Sequence, residues 1–353
     1  MICAGFLYLG EIMEERSGKR EYLDLLRTEL LKQREIYLAL KEGHGESVCY
    51  KPYQDEEWGT QDANYTARLR LAHYLLYGRE GDEKSIVWLF EEELKDREQN
   101  SFQGIGSALE ILTFLLKKYN AENKYSDLFA RAKNANFDCA CGYDTELVIS
   151  EDLAENNLLD CIYLCQELEY KPEMEVLVAQ WKDSVNEWDG RTREELIRFY
   201  TFLGKNEENE SLYLAQLELA KSGKLRDLVL QYEKIIRYYI GMGKIGIAHQ
   251  YLDEARGCAD EKTIQGTNLF QRIFEEAFEI VYLEKERALD TEKTKELWEW
   301  AKQASVWLKY RNFYTKAIAA AKAMEDPYVS QLERKYRAWE KTWEIKREVK
   351  PQE

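Results

Sequence analysis

Proline is nearly missing from this chain, with four in 353 residues, and histidine is scarcer still, with three. No Pro/Gly/Ser-rich stretch divides one half from the other, so no flexible linker is expected and one continuous or extended body is the first reading. Cysteine is thin as well. The seven residues Cys3, Cys49, Cys139, Cys141, Cys161, Cys165 and Cys258 are odd in number and unlike the dense even sets of secreted scaffolds, which points to a reducing, cytoplasmic setting. Long apolar runs are absent: none approaches the roughly 18 residues needed to cross a bilayer. The apolar opening at 1–10 has no basic flank and meets Glu11, so it reads as a first buried helix rather than a secretory signal. An excess of basic charge is also lacking. The 50 Lys+Arg stand against 66 Asp+Glu, a net −16, which argues against a nucleic-acid binder, because neutralising phosphates needs clustered Lys and Arg.

What the chain does have is core material. A hydrophobic fraction of 45% and an aromatic fraction of 13% exceed what disordered acidic segments carry, so the chain folds. Apolar residues recur at i, i+3, i+4 and i+7 almost throughout, and strand-like alternation is nearly absent, so the fold class is all-α. The spacing predicts helices at 19–42, 61–78, 83–98, 105–119, 151–169, 173–187, 192–203, 207–222, 225–240, 245–258, 264–288, 292–309, 312–325 and 328–348. Two stretches are irregular, 43–60 and 134–150, and only Leu147-Val148-Ile149 reads as a strand. The expected organisation is an N-terminal helical region at 1–120, an irregular segment at 121–150, helical hairpins at 151–326 and a capping helix with a basic tail at 327–353.

Paired helices repeat with recognisable spacing. In the 232–255 stretch, Tyr232, Ile235 and Tyr239 precede a turn at Gly241 and Gly243, and small Ala248 and Ala255 flank Leu252 in the next helix. The pattern returns in Leu69, Ala72, Leu76, Ser85 and Leu89, and again in Ala301, Ala304, Leu308, Ala317, Ala321 and Met324. Ala317 lies 69 residues after Ala248, about twice a 34-residue period. The chain therefore resembles the tetratricopeptide-repeat family, clearly over 225–325 and weakly over 61–98. That resemblance implies an irregular solenoid of helical hairpins wound into a right-handed superhelix, with non-enzymatic binding of a protein or peptide along the face lined by first helices. It implies partner-binding positions at Arg70, Tyr74 and Tyr77, at Glu233 and Arg237, and at Lys302 and Lys309.

No residue set announces a reaction, so no catalytic residue, metal ligand or cofactor is expected. Gly241-Met-Gly243-Lys-Ile-Gly246 matches a dinucleotide fingerprint in letters, but the residues before it carry helical rather than strand periodicity. Cys139 and Cys141 with Cys161 and Cys165 have poor zinc spacing, the latter two sharing an apolar helical face with Leu158, Leu164 and Leu168. His44, His73 and His249 form no recognisable constellation. The run Glu91-Glu92-Glu93 and the group Asp183, Glu187 and Asp189 read as solvated helix faces.

Charge is uneven along the chain. Residues 291–353 hold fourteen basic and ten acidic residues, a net +4, which leaves −20 on residues 1–290. Within that body, 151–200 carries five basic and thirteen acidic residues. Such a field steers a cationic partner and repels nucleic acid. The expected function is a protein-binding adaptor, most specifically a bacterial immunity-type protein covering a basic toxin or nuclease domain. The alternative is a peptide-responsive regulator resembling the Rap-type phosphatase regulators.

Overall fold

In the computed structural model of the chain, the described residues are 22–101, 104–258, 270–289, 291–306 and 309–348. The expected first helix at 1–10 and position Leu308 lie outside them. The described residues are mostly helical, in agreement with the all-α reading, and they divide into two compact units, Met1–Asn186 and Glu187–Glu353. The division falls inside the stretch 151–326, so the helices between 151 and 186 belong with the N-terminal unit.

The first unit is built around α3 (Tyr65–Gly78), which follows α1 (22–31) and α2 (Gln33–Lys41). Leu69, Leu71, Ala72, Tyr74, Leu75 and Leu76 of α3 are all buried, an all-round apolar helix that only a central position satisfies. Against it pack α2, α4 (Glu83–Gln99) and α5 (Ser107–Lys117). Asp82 caps α4, accepting from the Ser85 amide at 3.0 Å, and its carboxylate also accepts from the Tyr37 hydroxyl at 2.8 Å, which ties the cap to α2. Two short helices, α6 (Ser126–Lys133) and α7 (Phe137–Gly142), follow, so the stretch expected to be irregular is partly helical. Leu147-Val148-Ile149 is not a strand. A pair, α8 (Leu158–Glu167) and α9 (Lys171–Ser184), completes the unit.

Within the irregular stretch 43–60 and just beyond it, the chain forms an antiparallel hairpin of β1 (Pro52–Asp55) and β2 (Gly59–Asp62), in the register Pro52 to Asp62 and Asp55 to Gly59.

The second unit runs through α10 (Gly190–Phe202), α11 (Asn209–Lys221), α12 (Leu225–Gly241), α13 (Ile245–Gly257), α14 (Phe270–Glu286), α15 (Glu292–Gln303), α16 (Arg311–Ala323) and α17 (Val329–Glu348). Each helix of the sequential pairs packs on its partner; α12 also packs on α14 and α14 on α16. Buried Ala248, Ala277, Ala317 and Ala321 keep the helices close, while Phe278 meets Trp298 and Phe313 edge-on with centroids 5.9 and 5.2 Å apart. Tyr336 and Trp339 lie against Tyr314, so α17 covers α16. The glycine motif at 241–246 sits in the turn between α12 and α13, where the Lys244 amide donates to the Tyr239 carbonyl at 2.9 Å. It is a helix–helix turn with no strand before it.

Candidate partner-binding surfaces

A buried ion network anchors the first unit. Arg68 of α3 is fully buried and its guanidinium pairs with Asp62 and Glu93, both at 2.7 Å, while Arg97 pairs with Glu93 at 3.1 Å and with Asp96. Two arginines thus face three buried carboxylates. Burial pushes the Glu93 carboxyl above its ordinary range even though both guanidiniums pull it down. The Glu91-Glu92-Glu93 run is therefore no solvated face: Glu91 is exposed, but Glu92 and Glu93 turn inward, Glu92 accepting from the Tyr50 amide at 2.8 Å. The group Asp183, Glu187 and Asp189 is exposed, with Asp189 capping α10 through the Thr192 amide at 2.8 Å.

The network reaches the hairpin. Asp62 closes its foot, accepting from the Lys51 and Asn64 amides at 2.9 and 3.0 Å while paired with Arg68. On β2, the Thr60 amide donates to the Ser101 hydroxyl at 2.8 Å and the Ser101 amide to the Thr60 carbonyl at 2.9 Å. Gly59 has φ +74°, and an added Cβ would meet the Ser101 side chain at 2.5 Å, so both conformation and space call for glycine. A two-stranded hairpin is marginal alone in water. This one is held from its foot. At the tip, Asp55 accepts from the Glu57 and Trp58 amides at 2.9 and 2.8 Å and orders the turn. Trp58 is left 56% exposed and Tyr53 49%. The Glu56 and Glu57 side chains are exposed and ion-pair with no described residue.

The sequence-expected binding positions fall in different environments. Arg70 clamps the end of α8: its Nε donates to the Leu168 carbonyl at 2.7 Å, and the guanidinium lies over the Tyr170 ring, 4.8 Å from its centroid. Tyr74 is only 2% exposed and donates to Glu80 at 2.5 Å, so its ring belongs to the core rather than to an open face; burial first, then that bond, pushes its hydroxyl up to about 12. Tyr77 is half-buried and stacks on His73, whose burial lowers its pKa to about 4 and keeps it neutral. Tyr74 and Tyr77 do share the wall of a cavity of about 340 Å³ with Arg27, Arg79 and Leu153.

Glu233 and Arg237 come together on α12, 3.2 Å apart, and Arg272 of α14 reaches the same Glu233 oxygen at 3.5 Å. Glu233 and Arg237 line a cleft of about 440 Å³ with Asn209, Tyr213, Lys234 and Tyr238. Asn209 is 1% exposed; its amide nitrogen donates to the Thr201 hydroxyl at 3.1 Å, but among the described residues its Oδ1 has no hydrogen-bond partner, and neither does the Tyr238 hydroxyl. Glu276 of α14 is 2% exposed with both carboxylate oxygens unbonded among the described residues. Burial and then the charge of Glu233 hold its carboxyl well above the ordinary range. Lys302 is committed elsewhere, paired with Glu299 at 2.8 Å and Asp326 at 3.0 Å over the Trp298 and Tyr328 rings. Lys309 is exposed just before α16.

Cys139 is buried in α7 and Cys141 is exposed, while burial pushes the Cys161 and Cys165 thiols of α8 up to about 12. Among the described residues no group of three or more His, Cys, Asp or Glu side chains is arranged to hold a metal ion. His249 and Glu284 meet at 2.8 Å inside the second unit, where Glu284 also accepts from the Thr294 hydroxyl at 2.7 Å. No described helix is long and apolar enough to cross a membrane.

The unit boundary changes the meaning of the charge count. Residues 1–186 contain 21 basic and 36 acidic residues, a net −15, whereas residues 187–353 contain 29 and 30, a net −1. Nearly the whole acid surplus belongs to the first unit. No family model matches the chain, and neither does any curated protein or solved structure.

Proposed function

We propose that this protein is a non-enzymatic, cytoplasmic protein-binding module whose partner is basic, and specifically a bacterial immunity-type protein that covers a cationic toxin or nuclease domain. The observation that carries this reading is the −15 confined to residues 1–186 beside a nearly neutral second unit. General solubility does not require such confinement. A field concentrated on one body accelerates encounter with an opposite charge and orients it. In this reading the helical pairs of the second unit form a tetratricopeptide-like solenoid with a right-handed superhelix, supported by the packing of α12 on α14 and α14 on α16. Affinity capture from the host at low ionic strength is expected to return a protein of high isoelectric point that is released as salt is raised. Recovery of no protein, or capture indifferent to salt, would contradict the proposal.

A second reading is favoured by the cleft beside α12. Its buried Asn209 Oδ1 and Tyr238 hydroxyl lack hydrogen-bond partners among the described residues, and a peptide main chain supplies donors of the kind they need. On this reading the protein is a peptide-responsive regulator of the Rap type. Calorimetry with pools of short peptides free of arginine and lysine separates the two, since only the regulator gives saturable heat with them.

A further inference from the structure

We infer that the hairpin spanning Pro52–Asp62 is the docking element for the basic partner, its exposed Trp58 ring and the Glu56 and Glu57 carboxylates receiving an arginine- or lysine-rich segment. This rests on the basic-partner reading and names the surface that serves it.

Four observations converge on the same eleven residues. First, the hairpin is the only strand structure among the described residues, and its foot is tied to buried ionic groups, so its geometry is set before any partner arrives. A preformed element loses little conformational entropy on binding. Second, Trp58 is an exposed indole with no aromatic neighbour among the described residues. Tryptophan is highly buried on average, and it is among the residues most often found at the energetic centre of interfaces. Third, the exposed Glu56 and Glu57 directly precede Trp58 in the turn, with neither engaged in an ion pair among the described residues, whereas Asp55 and Asp62 are already used by the turn and the foot. The element itself holds no basic residue; the nearest in sequence is Lys51, which precedes it at the foot. Fourth, the element belongs to the unit carrying −15. An indole face beside two carboxylates selects a cation: the ring quadrupole and the carboxylates attract the same guanidinium or ammonium group. An acidic or purely apolar segment gains nothing from the glutamates.

The test uses the full chain with its nine tryptophans replaced by 5-fluorotryptophan, and Trp58→Phe to assign the Trp58 fluorine resonance. The probe is an oligo-arginine peptide blocked at both ends. The Trp58 resonance is expected to move saturably. The double variant Glu56→Gln/Glu57→Gln should weaken that saturation about tenfold, while Glu35→Gln/Glu42→Gln, which removes two exposed carboxylates of the same unit, leaves it unchanged. Movement of other tryptophan resonances with Trp58 still would overturn the hairpin assignment and leave the basic-partner reading standing. An absence of any peptide-induced shift or heat would remove both. If Trp58 instead moves with protein concentration and not with peptide, the hairpin is a contact between copies of this chain, and the inference fails.

Discussion

Arg68 is the residue on which the first unit most depends. Among the described residues it is the only side chain that pairs with both Asp62 of the hairpin and Glu93 of α4, and all three are removed from water. Replacing it by methionine leaves buried Asp62 without a cation and Glu93 with Arg97 alone, and the expected loss is about 3–5 kcal/mol in urea unfolding of the full chain. Glu276 presents the opposite case. Its carboxyl has no bonded partner among the described residues and is held above the ordinary glutamate range by burial and by Glu233. The fold therefore favours the protonated form: that contribution is fully present below the unfolded value and is lost as pH rises through the raised one. Glu276→Gln is expected to raise the thermal midpoint by about 2–4 °C at neutral pH, for about 1 kcal/mol, and by less in acid. Equal shifts at both pH values would show that the carboxyl is not strained. Neither role was readable in the sequence. A run of three glutamates looks the same whether one or three face water, because the opposing arginine lies 25 residues away and only the folded α3 brings it there.

At the scale of elements, helices were legible because buried and exposed positions alternate with the helical period over many turns. Predicted 225–240 is observed as Leu225–Gly241, and predicted 312–325 as Arg311–Ala323. The hairpin was not legible. Its strands are four residues each, too short for alternation to stand out, and the only cues are Pro52 at its start and the Trp58-Gly59-Thr60 sequence at its turn. Helices α6 and α7 were missed for a related reason, being eight and six residues long among many polar groups. The positions inferred from repeat spacing lie in different environments, because spacing assigns a face and not what covers it. Glu233 and Arg237 do meet beside a cleft, but Arg70 is spent on the end of α8 and Lys302 on Asp326. The close approach of helices in the second unit gives an element-scale prediction. Ala248 is fully buried between α12 and its neighbours, so Ala248→Leu should destabilise by about 1–3 kcal/mol in denaturant titration, with binding at the hairpin retained. A neutral outcome would mean that these helices are not closely packed.

For the whole molecule, the question is where the charge resides. The sequence alone located it as −20 before residue 291 and +4 after; the two-unit division relocates it to −15 on residues 1–186 and −1 on residues 187–353. A basic partner is thus expected to engage the first unit, and salt should slow its association more than it speeds its release. The most direct measurement is cross-linking mass spectrometry on the complex captured from the host at low ionic strength. The account predicts a partner of high isoelectric point whose cross-links fall within residues 22–186 and include Lys51 at the foot of the hairpin. An acidic partner, or cross-links confined to residues 187–353, would contradict it.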